Sequence, residues 1–160
     1  MSTQTSDSSN EHIAFIGGGN MASAIMGGLL KQGLPASRIQ VVEPFAEQRA
    51  KLEQQFQVSV SAAPEASLNR ATLVVWAVKP QTFKEAAGQA RAHIQAALHL
   101  SVAAGIRSGS IASWLGTERV VRARPNTPAL VGKGMTALFA RPAATAADRL
   151  AAQQIGRAHV

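Results

Sequence analysis

The stretch Ile13-Ala14-Phe15-Ile16-Gly17-Gly18-Gly19-Asn20-Met21-Ala22 decides the fold of this chain. Its first four residues are apolar and read as a buried strand. The strand runs straight into Gly17-x-Gly19-x-x-Ala22 and then into a helix. Gly17 permits a tight turn that a Cβ would obstruct. Gly19 lets backbone approach a pyrophosphate, and a small residue at Ala22 lets the helix pack on the strand. The helix N-terminus then offers unpaired N–H groups to phosphate oxygens. An acidic residue at the end of the next strand completes the pattern. Glu43 stands 21 residues beyond Ala22, close to the spacing of a ribose contact.

Outward from this stretch, apolar runs and amphipathic stretches alternate. Strands are expected at 13–16, 40–43, 58–60, 72–77, 98–103, 120–124 and 135–140. Helices are expected at 20–31, stopped by Gly33, and at 47–56, 83–94 and 108–115. The run 72–77, Thr-Leu-Val-Val-Trp-Ala, is continuously apolar from Leu73, as for a strand covered on both faces. This rhythm predicts an α/β fold, a Rossmann-like doubly wound, mostly parallel sheet with helices on both faces.

Thr145-x-x-Asp148 reads as a capping box opening a helix over 146–154. The last six residues, Ile155–Val160, resemble the in-frame translation of a sequencing adapter and are expected to be a foreign tail. The predicted organisation is a disordered tail at 1–11, a dinucleotide-binding domain at 12–142, a truncated helical segment at 143–154, and the tail at 155–160. An apolar surface is expected to lie uncovered near the last strand and the 146–154 helix.

Composition narrows the function classes. A chain of 160 residues with 46% hydrophobic residues suits one globular domain. No apolar run approaches the ~20 residues of a membrane span. The polar start lacks the apolar core of a secretory signal. Cysteine is absent, which removes thiolate catalysis and thiolate metal sites and fits a cytoplasmic location. The net charge is +7, and residues 101–160 carry a surplus of six. Aromatics are only 4%, and no basic run occurs, so nucleic acid is not expected as a partner. His12, His93, His99 and His159 lack metal-ligand spacing, and no metal is expected; His93 and His99 are read as lying on or beside a helix. Trp76 and Trp114 are read as core residues. Ser101 and Ser110 lack a His/Asp partner pattern, which leaves hydrolase chemistry unsupported.

Three later segments fall at strand ends, where open α/β sheets bind ligands. Ala77-Val78-Lys79-Pro80-Gln81 puts Lys79 in an extended conformation before Pro80, which suits the first turn of a helix. Ser101-Val102-Ala103-Ala104-Gly105 offers small residues that leave room for a flat ring. Pro125-Asn126-Thr127-Pro128 forms a rigid turn carrying an amide and a hydroxyl.

Together with the opening glycine stretch, these segments resemble the pyrroline-5-carboxylate reductases over roughly 13–150. The resemblance implies reduction of 1-pyrroline-5-carboxylate to L-proline with NADP or NAD. It implies cofactor contacts from Ile16, Gly17, Gly18, Gly19, Asn20, Met21, Glu43, Pro44, Ala77, Val78, Lys79, Pro80 and Ala104. Asn126 and Thr127 fall on the nicotinamide or substrate side. It implies no catalytic residue within this chain, a small-molecule substrate, and a homo-oligomer formed through a C-terminal domain that the chain lacks. The chain by itself is therefore expected to be inactive.

Departures from the family pattern bear on cofactor choice. Glu43 would repel a 2′-phosphate and suit a ribose hydroxyl, whereas Arg49 in the following helix offers a compensating charge. NAD and NADP both remain open on these residues. Pro64 falls where many members carry an asparagine near the adenine, and Arg124 replaces a residue that is usually apolar. Two other readings share the layout: a β-hydroxyacid-type dehydrogenase, against which Pro125–Pro128 argues, and a non-catalytic dinucleotide-binding module.

Overall fold

A computed structural model of the chain describes residues 11–125 and 135–158. Among them one sheet of seven strands forms, in the order β3-β2-β1-β4-β5-β6-β7. The strands are β1 (Ile13–Ile16), β2 (Ile39–Val42), β3 (Ser59–Ser61), β4 (Leu73–Trp76), β5 (Leu98–Ser101), β6 (Val120–Pro125) and β7 (Met135–Ala140). All neighbours pair in parallel except β6 and β7. The helices are α1 (Asn20–Lys31), α2 (Ala46–Phe56), α3 (Pro80–Ala90), α4 (Ser108–Leu115) and α5 (Ala146–Ala158).

The period-2 alternation of strands explains why β1, β4 and β5 are buried end to end. Ile13, Phe15, Val75, Leu100 and Val121 share one face with Ile25, Met26 and Leu29 of α1, Leu52 of α2 and Ile155 of α5. Ala14, Ile16, Val74, Trp76 and Val120 share the other face with Phe83 and Ala87 of α3 and Ile111 and Leu115 of α4. β1 and β4, covered on both faces, therefore carry apolar side chains at every position. The polar α2 buries only Leu52, which is why its sequence shows little apolar periodicity.

The expected α/β architecture holds, with local differences. The 83–94 helix begins earlier, at Pro80, and gives way to a 3-10 turn over Arg91–His93. Pro80 starts α3 because its fixed φ suits a first turn. His99 lies inside β5 and is buried, so it is carried by a strand and not by a helix. Its neighbours Leu98 and Leu100 face one core while the imidazole is buried on the opposite side of the sheet, against Trp76. The 146–154 helix extends to Ala158, and Ile155 joins the α1 face of the core. Among the described residues, Leu150 (60% exposed) and Phe139 (48%) are the large apolar side chains left at the surface near this end.

Thr145-x-x-Asp148 caps α5 as its sequence predicts. Asp148 N–H donates to Thr145 Oγ1 at 3.0 Å, and Thr145 N–H donates to Asp148 Oδ2 at 3.0 Å. Arg119, immediately before β6, adds a two-point contact. Its Nε and Nη2 reach the same carboxylate at 3.2 and 2.8 Å, while Nη1 donates to the Ala96 carbonyl at 3.0 Å. The guanidinium beside Asp148 holds its carboxyl below the usual range. One carboxylate thus fastens the last helix to the sheet. Asp148→Ala is expected to destabilise by about 2 kcal/mol, since it strips the cap and leaves Nε and Nη2 of Arg119 without their acceptor. Urea midpoints at constant slope test this; a change under about 0.5 kcal/mol would show the latch to be idle.

Candidate functional site

The strand order reverses between β1 and β4, and the chain leaves these strands in opposite directions across the sheet. This creates a crevice beyond their carboxyl ends. Backbone hydrogen bonds brace its floor. Gly17 N–H donates to Val42 O, Ala77 N–H to Ile16 O, Glu43 N–H to Ser61 O and Val102 N–H to Trp76 O, at 2.9, 2.9, 2.9 and 3.0 Å. Above the floor lies a cleft of about 1350 Å³.

Gly17 turns the chain at φ +97°, and a Cβ there would lie 2.5 Å from the Ala77 carbonyl oxygen. The turn demands glycine twice over, by conformation and by contact. A Cβ on Gly18 would sit 2.6 Å from Leu52 Cδ1, so this glycine lets α2 close on the loop. Gly19 differs. It is extended, caps α1 without a side-chain partner, and a Cβ added to it meets nothing within 4 Å. The loop therefore lies bare before the first turn of α1, which carries no acidic residue. An anion placed there meets free N–H groups and the positive end of the helix. These features fit a pyrophosphate.

Glu43 sits at the end of β2 and is only 6% exposed. Its Oε1 accepts the Gly18 N–H at 2.9 Å and its Oε2 accepts the Phe45 N–H at 3.1 Å. It ties the glycine loop to the β2–α2 turn. Gln48 repeats the link, with Nε2 donating to the Gly18 carbonyl at 2.6 Å. Arg49 Nη1 donates to the Glu43 and Pro44 carbonyls, both at 2.8 Å.

The cleft gathers nine of the sequence-predicted residues: Ile16, Gly17, Gly18, Gly19, Glu43, Pro44, Ala77, Val78 and Lys79. Asn20, Met21, Pro80 and Ala104 are not among its lining residues. Asn20 and Pro80 begin α1 and α3, Met21 packs on the α1 core, and Ala104 is exposed after β5. Asn126 and Thr127 lie outside the described residues, as does most of the Pro125–Gly132 segment. Pro64 does line the cleft. Residues that sequence reasoning passed over also line it: Phe45, Gln48 and Lys51 from the β2–α2 side, and Gln81, Thr82 and Glu85 from α3. The signal for the α2 group was its helical spacing directly after Glu43. Among the described residues no group of three or more His, Cys, Asp or Glu is placed to hold a metal, and no helix is long and apolar enough to cross a membrane.

A mostly parallel sheet with a glycine turn and a bare helix N-terminus at its switch point defines the dinucleotide-binding class of α/β proteins. The chain belongs to the family described as NADP oxidoreductase, coenzyme F420-dependent, which matches residues 12–105. It is 44% identical over 142 residues to a pyrroline-5-carboxylate reductase of Pseudomonas aeruginosa, a match over 88% of this chain and 52% of that protein. Among solved structures, a pyrroline-5-carboxylate reductase from Coxiella burnetii superposes with a TM-score of 0.84 at 32% identity, covering 93% of this chain and 56% of that one. The Plasmodium falciparum pyrroline carboxylate reductase, solved with NADP bound, shares the fold with a TM-score of 0.76 at 21% identity, over 94% of this chain and 55% of that one. The chain spans about half the length of the curated relatives it matches.

Proposed function

We propose that this chain is the cofactor-binding half of a pyrroline-5-carboxylate reductase, which reduces 1-pyrroline-5-carboxylate to L-proline with NADH or NADPH. The observation that carries the reading is the glycine turn: closed to any side chain at Gly17, open at Gly19, and set at the switch point of the sheet. The similarity to reductases of that name supports the substrate. A bound nicotinamide cofactor supplies the hydride. This chain's part is to hold and orient it. The loop at Gly17–Gly19 and the α1 N-terminus receive the pyrophosphate. Glu43 and the β2–α2 turn face the adenosine end. The Ala77–Lys79 turn forms the opposite wall, and Ala104, Asn126 and Thr127 are assigned to the nicotinamide side. The reading carries a small-molecule substrate, a homo-oligomeric whole protein and a cytoplasmic location.

Gly19 offers a clean test. Its Cβ has space and its backbone suits any residue, so Gly19→Val should fold normally. The branched side chain then occupies the place of the pyrophosphate. Calorimetry with NADH and NADPH should show at least a hundredfold loss, about 2.7 kcal/mol. Unchanged affinity in the folded variant would sink the reading.

A further inference from the structure

We propose that Gln48 is the positioning residue of the glycine loop: by holding the Gly18 carbonyl it aims the Gly19 N–H at the pyrophosphate of a bound dinucleotide. The proposal rests on the dinucleotide reading above and names what orients the loop.

Each peptide group of the loop has its own anchor. The Gly17 N–H is held by the Val42 carbonyl at 2.9 Å. The Gly18 N–H is held by Glu43 Oε1 at 2.9 Å. The Gly19 carbonyl accepts the Ser23 N–H at 2.9 Å and so belongs to the first turn of α1. The peptide between Gly18 and Gly19 is left to Gln48. Among the described residues, Gln48 Nε2 is the donor that reaches its carbonyl, at 2.6 Å. A carbonyl only accepts, so the nitrogen of the Gln48 amide, and not its oxygen, must face it.

That contact fixes the direction of an N–H. The described peptides are all trans, and in a trans peptide the C=O and N–H point to opposite sides. With the Gly18 carbonyl drawn to α2, the Gly19 N–H is turned away from α2. Gly19 is exposed and lines the cleft, and among the described residues nothing accepts its N–H. An anion in the cleft would meet that donor.

The glycines alone leave this direction open. A peptide flanked by two glycines can turn over, because neither has a Cβ to forbid the alternative. Turned over, it would present an oxygen to a phosphate in place of a proton. Gln48, 30 residues along the chain, decides between the two. It lies in the first turn of α2, and Leu52, one turn further on the same helix face, is buried beside the same glycine. Leu52 seats the helix, and Gln48 then holds the peptide.

The test uses the chain with Gln48→Met, which keeps the length of the side chain and removes the donor. Gln48→Ala serves if that variant fails to fold. Calorimetry should show NADH, NADPH and ADP each weakened about tenfold, and the two dinucleotides by the same factor. Adenosine, which has no phosphate, should bind parent and variant alike. In ¹⁵N-labelled chain the Gly19 amide resonance should move or split in the variant before any ligand is added. Its shift on adding ADP should shrink. Undiminished affinity for ADP in a folded variant overturns the proposal, as does an unmoved Gly19 resonance. An equal loss for adenosine also overturns it, since Gln48 would then touch the nucleoside directly. Those results leave the dinucleotide reading standing if Gly19→Val still abolishes binding. A parent chain that binds neither dinucleotide removes both.

Discussion

Gly17→Ala is expected to cost at least about 3 kcal/mol of stability, a large part of the 5–15 kcal/mol that holds a typical domain together. Two costs add. A side chain at φ +97° places the backbone where L-residues are strained, by about 1–3 kcal/mol. The new Cβ would also stand 2.5 Å from the Ala77 carbonyl oxygen and 2.9 Å from its carbon. Both atoms are backbone, and the Ala77 N–H is bound to Ile16 O, so the neighbour has little room to give. Relief requires β1 and β4 to part at the switch point. Gly19→Ala is the control, two residues away in the same loop. It adds the same atom into open space and should change stability by less than about 1 kcal/mol. Urea unfolding of the two variants at equal slope makes the comparison. Similar midpoints would show that the loop yields, and that Gly17 is not what sets the turn.

Acid is expected to remove a further block of stability through His99. The imidazole, carried by β5, is buried between Trp76 of β4 and the Ile94 carbonyl. Nδ1 accepts the Trp76 indole N–H at 3.0 Å, which leaves Nε2 to donate to the Ile94 carbonyl at 3.2 Å. Trp76 in turn stacks on Phe83 with centroids 4.8 Å apart. This arrangement is satisfied only by the neutral ring. A second proton on Nδ1 would oppose the indole donor inside an apolar layer. Burial, chiefly, pushes the His99 pKa down from 6.5 to about 4. Below pH 6.5 the unfolded chain takes up a proton that the folded chain refuses. Stability therefore falls as pH drops from 6.5 and levels off near 4, where the folded state is also protonated. The span corresponds to about 3 kcal/mol. His99→Gln can keep an acceptor and a donor without titrating, so its stability should lack this slope. Asp148 acts in a lower window: its contribution is present above its unfolded pKa of 3.8 and is lost as pH falls further. Thermal or urea unfolding from pH 7 to 4 separates the two. Parallel curves for the parent and His99→Gln would refute the account.

His99 also shows where sequence reasoning stops. A histidine between Leu98 and Leu100 carries no mark of its partners, because Trp76 and Ile94 are brought to it by strand pairing and by the turn after α3. The same holds for Glu43. Its spacing from Ala22 marked it as a site residue, but its grip on Gly18 joins positions 25 apart in the chain. Phe45, Gln48 and Lys51 could be read only as the start of a helix until that helix was laid against the glycine loop.

The local information was otherwise sufficient. Gly17, the apolar runs at 13–16 and 73–76, Pro80 at the head of α3 and Thr145 with Asp148 at the head of α5 each impose a backbone choice on their immediate neighbours. Those choices in series define a doubly wound sheet and put a crevice after β1 and β4. The sequence by itself thus determined element type, order and the position of the cleft, since turns, caps and two-faced burial are short-range requirements. Only the tertiary structure decided which side chains share that cleft and which charges are already taken. Arg49 is the clearest case: in sequence it is a cation beside the site, whereas in the fold its Nη1 is tied to the carbonyls of Glu43 and Pro44. Hydrogen-bond partners compete in three dimensions, and no spacing along the chain records which one wins.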